Sequence, residues 1–347
     1  MVNTKRRRKK VKLNNRGKAA LCALVLFIIL LAALIISLSR CSHEETSRIN
    51  TIESYTETVA PTDTPTPTPT PLPHVDVIGN LYSSEAILID VETGCELDSV
   101  NADTISYPAS LTKMMTLLLA CENITDFNAS YTIPDEVYNA IYGMDLSTAG
   151  YETGETVTMD DLLYGCMLRS GAECCLSIAY TIAGSEAVFV TLMNQRAAEI
   201  GMTNTHFMNC TGAHNDNHYS TVRDMSTLLR AALDNPKFRD VFSTNAYTSS
   251  STIQHPGGLS LVSTFSNTVY TMEIDGGELI GGKTGYTSNA GQCLASLARI
   301  YGREYIFVTF GAINETGESA GTRHLHTADA LNTYQSLASY LATNPFN

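Results

Sequence analysis

Strand-like segments sit at both ends of the part of this chain that can fold, and helix-like segments fill the space between them. Ala86-Ile87-Leu88-Ile89-Asp90-Val91 reads as a strand, Glu92-Thr93-Gly94 as a turn, and Cys95-Glu96-Leu97 as the start of a return strand. Pro108 precedes an apolar stretch, Leu111 to Cys121, long enough for a buried helix. From about residue 134 to 245 the pattern is mostly helical. One helix starts at Asp160-Asp161-Leu162-Leu163, and another runs over Glu186 to Ile200 with Gly201 as its stop. After Leu279 the pattern returns to strands, Leu294 to Ile300 and Tyr305 to Phe310, joined by the turn Tyr301-Gly302-Arg303. A last helix is expected from about Thr322 to Leu341. This layout predicts an α+β domain, with one sheet built from both ends of the chain and a helical lobe inserted.

The N-terminal quarter has a different character. Residues 1–18 are strongly basic, and Ala19 to Leu38 then runs without a charge. At 1.5 Å per residue that run spans roughly 30 Å, the thickness of a bilayer core. A basic flank before such a span keeps the N-terminus in the cytoplasm, so the rest is expected outside the cell membrane. A cleaved signal peptide has a shorter apolar core, and a lipoprotein reading of Cys41 meets Arg40 where a small residue is expected. The expected organisation is a cytoplasmic tail at 1–18, a transmembrane anchor at 19–39, a Pro/Thr-rich linker at 40–78 and a folded domain at 79–347. Six of the 11 prolines fall between Pro61 and Pro73. That composition favours polyproline II and predicts a stalk of roughly 40 Å, or else an unstructured linker.

Charge narrows the choice of partners. Of 22 Lys and Arg residues, 10 lie at or before Arg40, and the remaining 12 face 35 acids. An exterior part this acidic is a poor nucleic-acid binder, so none is expected as partner. The nine cysteines include no C-x-x-C pair. They are expected mainly as buried thiols, although a disulfide framework is open to a protein outside the cell.

Three short motifs stand in order along the domain. Ser110-Leu111-Thr112-Lys113 pairs a hydroxyl with an amine on one face, if a helix begins at Ser110. A serine is a weak nucleophile and needs a nearby base; a lysine can serve if burial or another cation lowers its pKa, and Lys283 could be that cation. Ser170-Gly171-Ala172 comes second. With Glu173 it fits a capping box before a helix at Cys174 to Ala183, and capping is the better local reading of Ser170. Lys283-Thr284-Gly285 comes third, after Gly281-Gly282 and before Tyr286. A lysine beside a hydroxyl suits a carboxylate, and the glycines allow close approach of a substrate backbone. Each motif has a plain alternative: an N-cap with a solvated lysine, a cap, and a glycine-rich strand end.

The ordered set S-x-x-K, S-x-N, K-T-G is the signature of penicillin-binding proteins and serine β-lactamases. The longer stretches PASLTKMMT, GMTNTHFMN, TGAHNDNHYST and GGKTGYTSNAGQCL resemble the D-alanyl-D-alanine carboxypeptidase family of low-molecular-mass penicillin-binding proteins, over about residues 80–340. That resemblance implies a central antiparallel sheet flanked by helices with an inserted helical lobe. It implies Ser110 as acylated nucleophile, Lys113 as its base and Ser170 as proton relay to the leaving group. Lys283 and Thr284 would bind the substrate carboxylate, with Arg323 nearby. The backbone N–H groups of Ser110 and Tyr286, the latter beside Gly285, would form the oxyanion hole. The implied substrate is a peptidoglycan stem peptide ending in D-Ala-D-Ala, with β-lactams as acylating inhibitors. No cofactor or metal is implied, and His206, His214 and His218 are expected to serve loop hydrogen bonding.

Ala172 departs from the pattern, because the family usually has asparagine there. That amide would orient the substrate's peptide group and contact the lysine base; Glu173 or a water could take its place. Two other readings stay open at this point, a β-lactamase and a non-catalytic wall-binding module. Against the first, the chain around Thr203–Gly212 follows the carboxypeptidase pattern and shows no deacylating glutamate loop.

Overall fold

The computed structural model describes residues 74–313 and 324–344. The expected anchor and most of the linker therefore lie outside the described residues, as does Arg323. Among the described residues no single helix is long and apolar enough to cross a membrane.

Among the described residues there are ten strands: β1 (Glu85–Asp90), β2 (Glu96–Val100), β3 (Ser130–Thr132), β4 (Thr156–Thr158), β5 (Ala246–Thr248), β6 (Ser260–Val262), β7 (Glu273–Ile274), β8 (Gly277–Thr287), β9 (Gly291–Ile300) and β10 (Arg303–Ala312). Six of them form one sheet in the order β2-β1-β10-β9-β8-β7, with antiparallel neighbours throughout. The N-terminal hairpin joins the C-terminal strands through β1 and β10, where Glu85 faces Phe310 and Asp90 faces Tyr305. β3 with β4, and β5 with β6, are small separate ribbons. The sheet built from both ends of the chain is thus as expected.

Both faces of the sheet are covered, so its central strands read as apolar runs rather than alternating ones. Leu294, Ala298, Tyr305 and Phe307 pack with Tyr334, Leu337 and Leu341 of the C-terminal helix Leu325–Thr343. On the other side Ala295, Leu297, Ile306 and Val308 join the larger core of the helical lobe, with Leu111, Met114, Leu163 and Leu229. The helix Lys113–Asn123 runs through that core, and its first eight residues are buried.

The domain begins earlier than the linker boundary at 78 implies. Val75 N donates to Leu97 O at 2.8 Å, and Val77 N and Ile78 N donate to Asp98 Oδ2 at 2.9 and 2.7 Å. All three side chains are buried in the second core cluster. An isolated Val-Asp-Val-Ile segment after a proline run carries too short a pattern to announce this contact.

The seven cysteines among the described residues are free thiols, five of them buried. Burial pushes the Cys293 thiol up to about 12. They act as small apolar side chains, as expected for that class.

Candidate active site

The turn that carries Ser110 is a 3-10 helix over Ala109–Thr112, and the α-helix starts only at Lys113. The expectation of a helix beginning at Ser110 is corrected accordingly. Ala109 takes a left-handed φ of 46°, a conformation that costs a non-glycine residue about 1–3 kcal/mol. Three residues of tighter helix still bring the two side chains together, with Lys113 Nζ 2.9 Å from Ser110 Oγ. Ser110 is part-exposed, whereas Lys113 is 1% exposed. Lys113 Nζ also donates to Thr211 O at 2.5 Å.

Thr211 belongs to a loop folded around one side chain. Asn209 Oδ1 accepts from the backbone N–H of Thr211, Gly212 and Ala213 at 3.2, 2.7 and 3.1 Å. This holds the Thr211 carbonyl toward Lys113. Gly212 has φ 81°, and a Cβ there would lie 1.9 Å from Ala109 O. Only glycine lets this loop pack on the Ser110 turn. His218 fixes the same turn from another side. Met208 N donates to its Nδ1 at 3.2 Å, so the ring proton sits on Nε2, 2.8 Å from Thr112 Oγ1. Burial first, and then the nearby His206 and Lys113, push His218 down to about 4, so it is neutral. His206 Nδ1 pairs with Asn217 O at 2.7 Å. His206 and His218 serve the loop, as expected, whereas His214 lines the cleft and packs edge-on against Tyr107.

Ser170 is not a cap. The helix Ala172–Ala183 is capped by Gly171 with no side-chain hydrogen bond, and Ser170 itself adopts φ 59°. That left-handed turn aims its hydroxyl at the third motif, where Lys283 Nζ donates to Ser170 Oγ at 3.0 Å. Glu173 does not reach back as a capping box would. Its Oε1 accepts from Ala149 N at 2.6 Å and Gly150 N at 3.0 Å, and burial raises its pKa. Through that oxygen it holds the 149–150 loop. Ala172 is fully buried, and its N–H donates to Ser147 O at 2.9 Å.

Lys283 is 0% exposed and also donates to Thr284 O at 2.7 Å. Desolvation, with the Lys113 ammonium second, pushes it down to about 7 from 10.5. Thr284 Oγ1 lies 2.7 Å from Thr264 Oγ1. Gly285 abuts the Ser110 turn, since a Cβ there would come within 3.1 Å of Ser110 N. Tyr286 sits opposite Gln292 of β9 and is half exposed.

These groups meet at a cleft of about 930 Å³, whose wall includes Ser110, Ser170, Thr284, Gly285 and Tyr286. Both lysines lie behind that wall. The placement of Lys283 differs from a direct carboxylate ligand, because its amine points to Ser170 and Thr284 presents the hydroxyl to the cleft. Ser147, Thr264, His324 and His326 also line it and carry no local sequence signal. The site can bring the Ser110 oxygen, with one amine at 2.9 Å, against a bound carbonyl, while the second amine is held to Ser170. That is the equipment of acyl transfer through an acyl-serine.

Comparison with known proteins agrees with this geometry. The family model for D-alanyl-D-alanine carboxypeptidases matches residues 72–314. The chain is 32% identical over 233 residues to D-alanyl-D-alanine carboxypeptidase DacF of Bacillus subtilis, covering 66% of this chain and 57% of that protein. It is 34% identical over 222 residues to a D-alanyl-D-alanine carboxypeptidase of a Streptomyces species, covering 62% of this chain and 75% of the relative. A solved serine-to-alanine mutant of a Streptomyces DD-transpeptidase superposes with a TM-score of 0.64 at 26% identity, covering 74% of this chain and 98% of that one. A family match from residue 72 to 314 takes in all three motifs, and the chain belongs to the D-alanyl-D-alanine carboxypeptidase family.

Proposed function

We propose that the chain is a serine-type carboxypeptidase that removes the terminal D-alanine from peptidoglycan stem peptides ending in D-Ala-D-Ala. The observation that carries this reading is the pairing of two buried amines with two serines: Lys113 Nζ 2.9 Å from Ser110 Oγ, and Lys283 Nζ 3.0 Å from Ser170 Oγ. Lys113 takes the proton of Ser110 as its oxygen attacks the carbonyl of the penultimate D-alanine. The backbone N–H groups of Ser110 and Tyr286 receive the developing oxyanion. Ser170, held by Lys283, passes a proton to the departing amine. D-Alanine leaves, and water then hydrolyses the acyl-serine.

Thr284 in the cleft wall and the charge of Lys283 behind it serve the terminal carboxylate, with Arg323 as a further anchor. A β-lactam carries an amide and a carboxylate in similar relation and acylates Ser110 as an inhibitor. The basic tail at 1–18 and the apolar run at 19–39 anchor the domain outside the cell membrane, N-terminus in the cytoplasm, with residues 40–73 as spacer. A protease that releases the domain from intact wall-stripped cells supports this placement, and protection until the membrane is broken contradicts it.

Transpeptidation is the second reading, favoured by the solved DD-transpeptidase of which the match covers 98%. One assay separates the two. The full-length chain is incubated with a peptide ending in D-Ala-D-Ala, with and without an amine acceptor. Free D-alanine with the shortened acid as sole product supports the carboxypeptidase. A peptide joined to the acceptor supports the transpeptidase. Release of no D-alanine in either case rejects both and leaves a non-catalytic binding module.

A further inference from the structure

Thr264 and Thr284 stand 20 residues apart in the chain, and their hydroxyl oxygens lie 2.7 Å apart. Both residues line the cleft and both are half-buried, so neither is closed to solvent. As the pair stands, either oxygen can be the donor. The backbone around Thr264 is tied on three sides. Thr264 N donates to Leu168 O at 2.9 Å, at the end of the helix Met159–Leu168 that leads into Ser170. Ser263 N donates to Asn245 O at 2.8 Å. Phe265 is buried under Gly282, where a Cβ would come within 2.7 Å of its ring. The Thr264 hydroxyl is therefore placed by the helical lobe and by β8 together, not by a free loop.

A carboxylate accepts hydrogen bonds and donates none, and a threonine hydroxyl has one hydrogen to give. If Thr284 gives its hydrogen to a carboxylate, its contact with Thr264 survives only with Thr264 as the donor. We propose that Thr264 is a positioning residue, which donates to Thr284 Oγ1 and so turns the Thr284 hydrogen toward the terminal carboxylate of the peptide. The inference rests on the carboxypeptidase reading and extends it to a residue outside the three motifs. Hydrogen bonds in a chain polarise one another, and a bond to an ionised acceptor is the stronger kind. Thr264 thus strengthens the Thr284 contact without touching the ligand, and it keeps the Thr284 hydrogen from turning into the wall.

The test uses the full-length chain and an N-acetylated peptide ending in D-Ala-D-Ala, with kcat/KM read from the release of D-alanine. Thr264→Ala removes the hydroxyl, and Thr264→Ser differs from Thr264→Ala by that hydroxyl alone. Thr264→Ala is expected to lower kcat/KM by about 3- to 10-fold, the effect of one hydrogen bond, and Thr264→Ser to recover most of that loss. In a Thr284→Ala background, Thr264→Ala is expected to cause no further loss, because the group it acts through is gone. Parent-like activity in Thr264→Ala, an equal loss in Thr264→Ala and Thr264→Ser, or the same loss in both backgrounds each overturns the inference, and the carboxypeptidase reading then stands. If the unsubstituted chain releases no D-alanine, the reading itself fails and the inference falls with it.

Discussion

Lys283 Nζ donates to Ser170 Oγ across 3.0 Å, in a space closed to solvent. The contact joins β8, next to the short edge strand β7, to the turn between the helices Met159–Leu168 and Ala172–Ala183. It also fixes a buried amine whose folded pKa, about 7, lies below its ordinary 10.5. A lysine depressed in this way binds fewer protons folded than unfolded between those two values. Stability therefore rises with pH through that window, and the burden of the buried ammonium is fullest below it.

Lys283→Met removes that titration. The melting temperature of the variant minus that of the parent is expected to fall as pH rises from about 6 to 9. Acylation by penicillin is expected to drop at every pH, because Ser170 loses its donor. Thermal melts across this range check the trend; a constant difference argues against a depressed Lys283.

Ser110→Ala is expected to abolish the mass gain of one penicillin on the intact protein. Lys113→Ala is expected to slow labelling by about 100-fold or more, since it removes the base at 2.9 Å. Mass spectrometry of intact protein reads both. Label that persists on Ser110→Ala, or maps to another residue, rejects the assignment.

Gly212→Ala is a sharper probe of the nucleophile's position. The added Cβ would fall 1.9 Å from Ala109 O at a φ of 81°. The loop or the Ser110 turn must move, at a cost of about 1–3 kcal/mol in stability. Penicillin acylation is expected to fall with stability, whereas Gly201→Ala, also left-handed but with open space, should lose stability alone. Equal acylation rates for Gly212→Ala and parent would show that the turn tolerates the shift.

Ala172→Asn restores the residue that the family usually carries. Here the position is fully buried and its neighbour Glu173 is committed to Ala149 and Gly150. Overpacking is expected to lower stability by about 1–3 kcal/mol without a gain in D-alanine release. A faster Ala172→Asn enzyme would mean that the site has room for the amide after all.

The parts of the site that depend on residue type were legible in the sequence. The meeting of Ser110 with Lys113 at 2.9 Å could be read from their spacing, and Lys283 beside Thr284 from a glycine-rich strand pattern. Ser170 was legible in place but not in role. Its local pattern suits a capping box, and nothing local says that φ will be 59° or that Gly171 will take the cap. The outcome is decided by Lys283, 113 residues away. His326 and Gln292 lie 34 residues apart and meet only because a helix start is laid against the end of β9. The sheet was readable from its apolar runs, but the burial of Val75, Val77 and Ile78 was not, because three apolar residues beside a stalk make no period.

The register of β1 against β10, Glu85 opposite Phe310, sets an order on the birth of this domain. The first strand made must wait for the last before its free edge is covered. At about 5–20 residues per second the intervening chain takes tens of seconds to synthesise. Through that interval Ile87, Leu88 and Ile89 remain an open apolar edge, and Ser110 has a base but no sheet behind it. A ribosome stalled before Arg303 would therefore yield a chain that holds the nucleophile and its lysine yet cannot close, a target for chaperones and proteases rather than a slow enzyme.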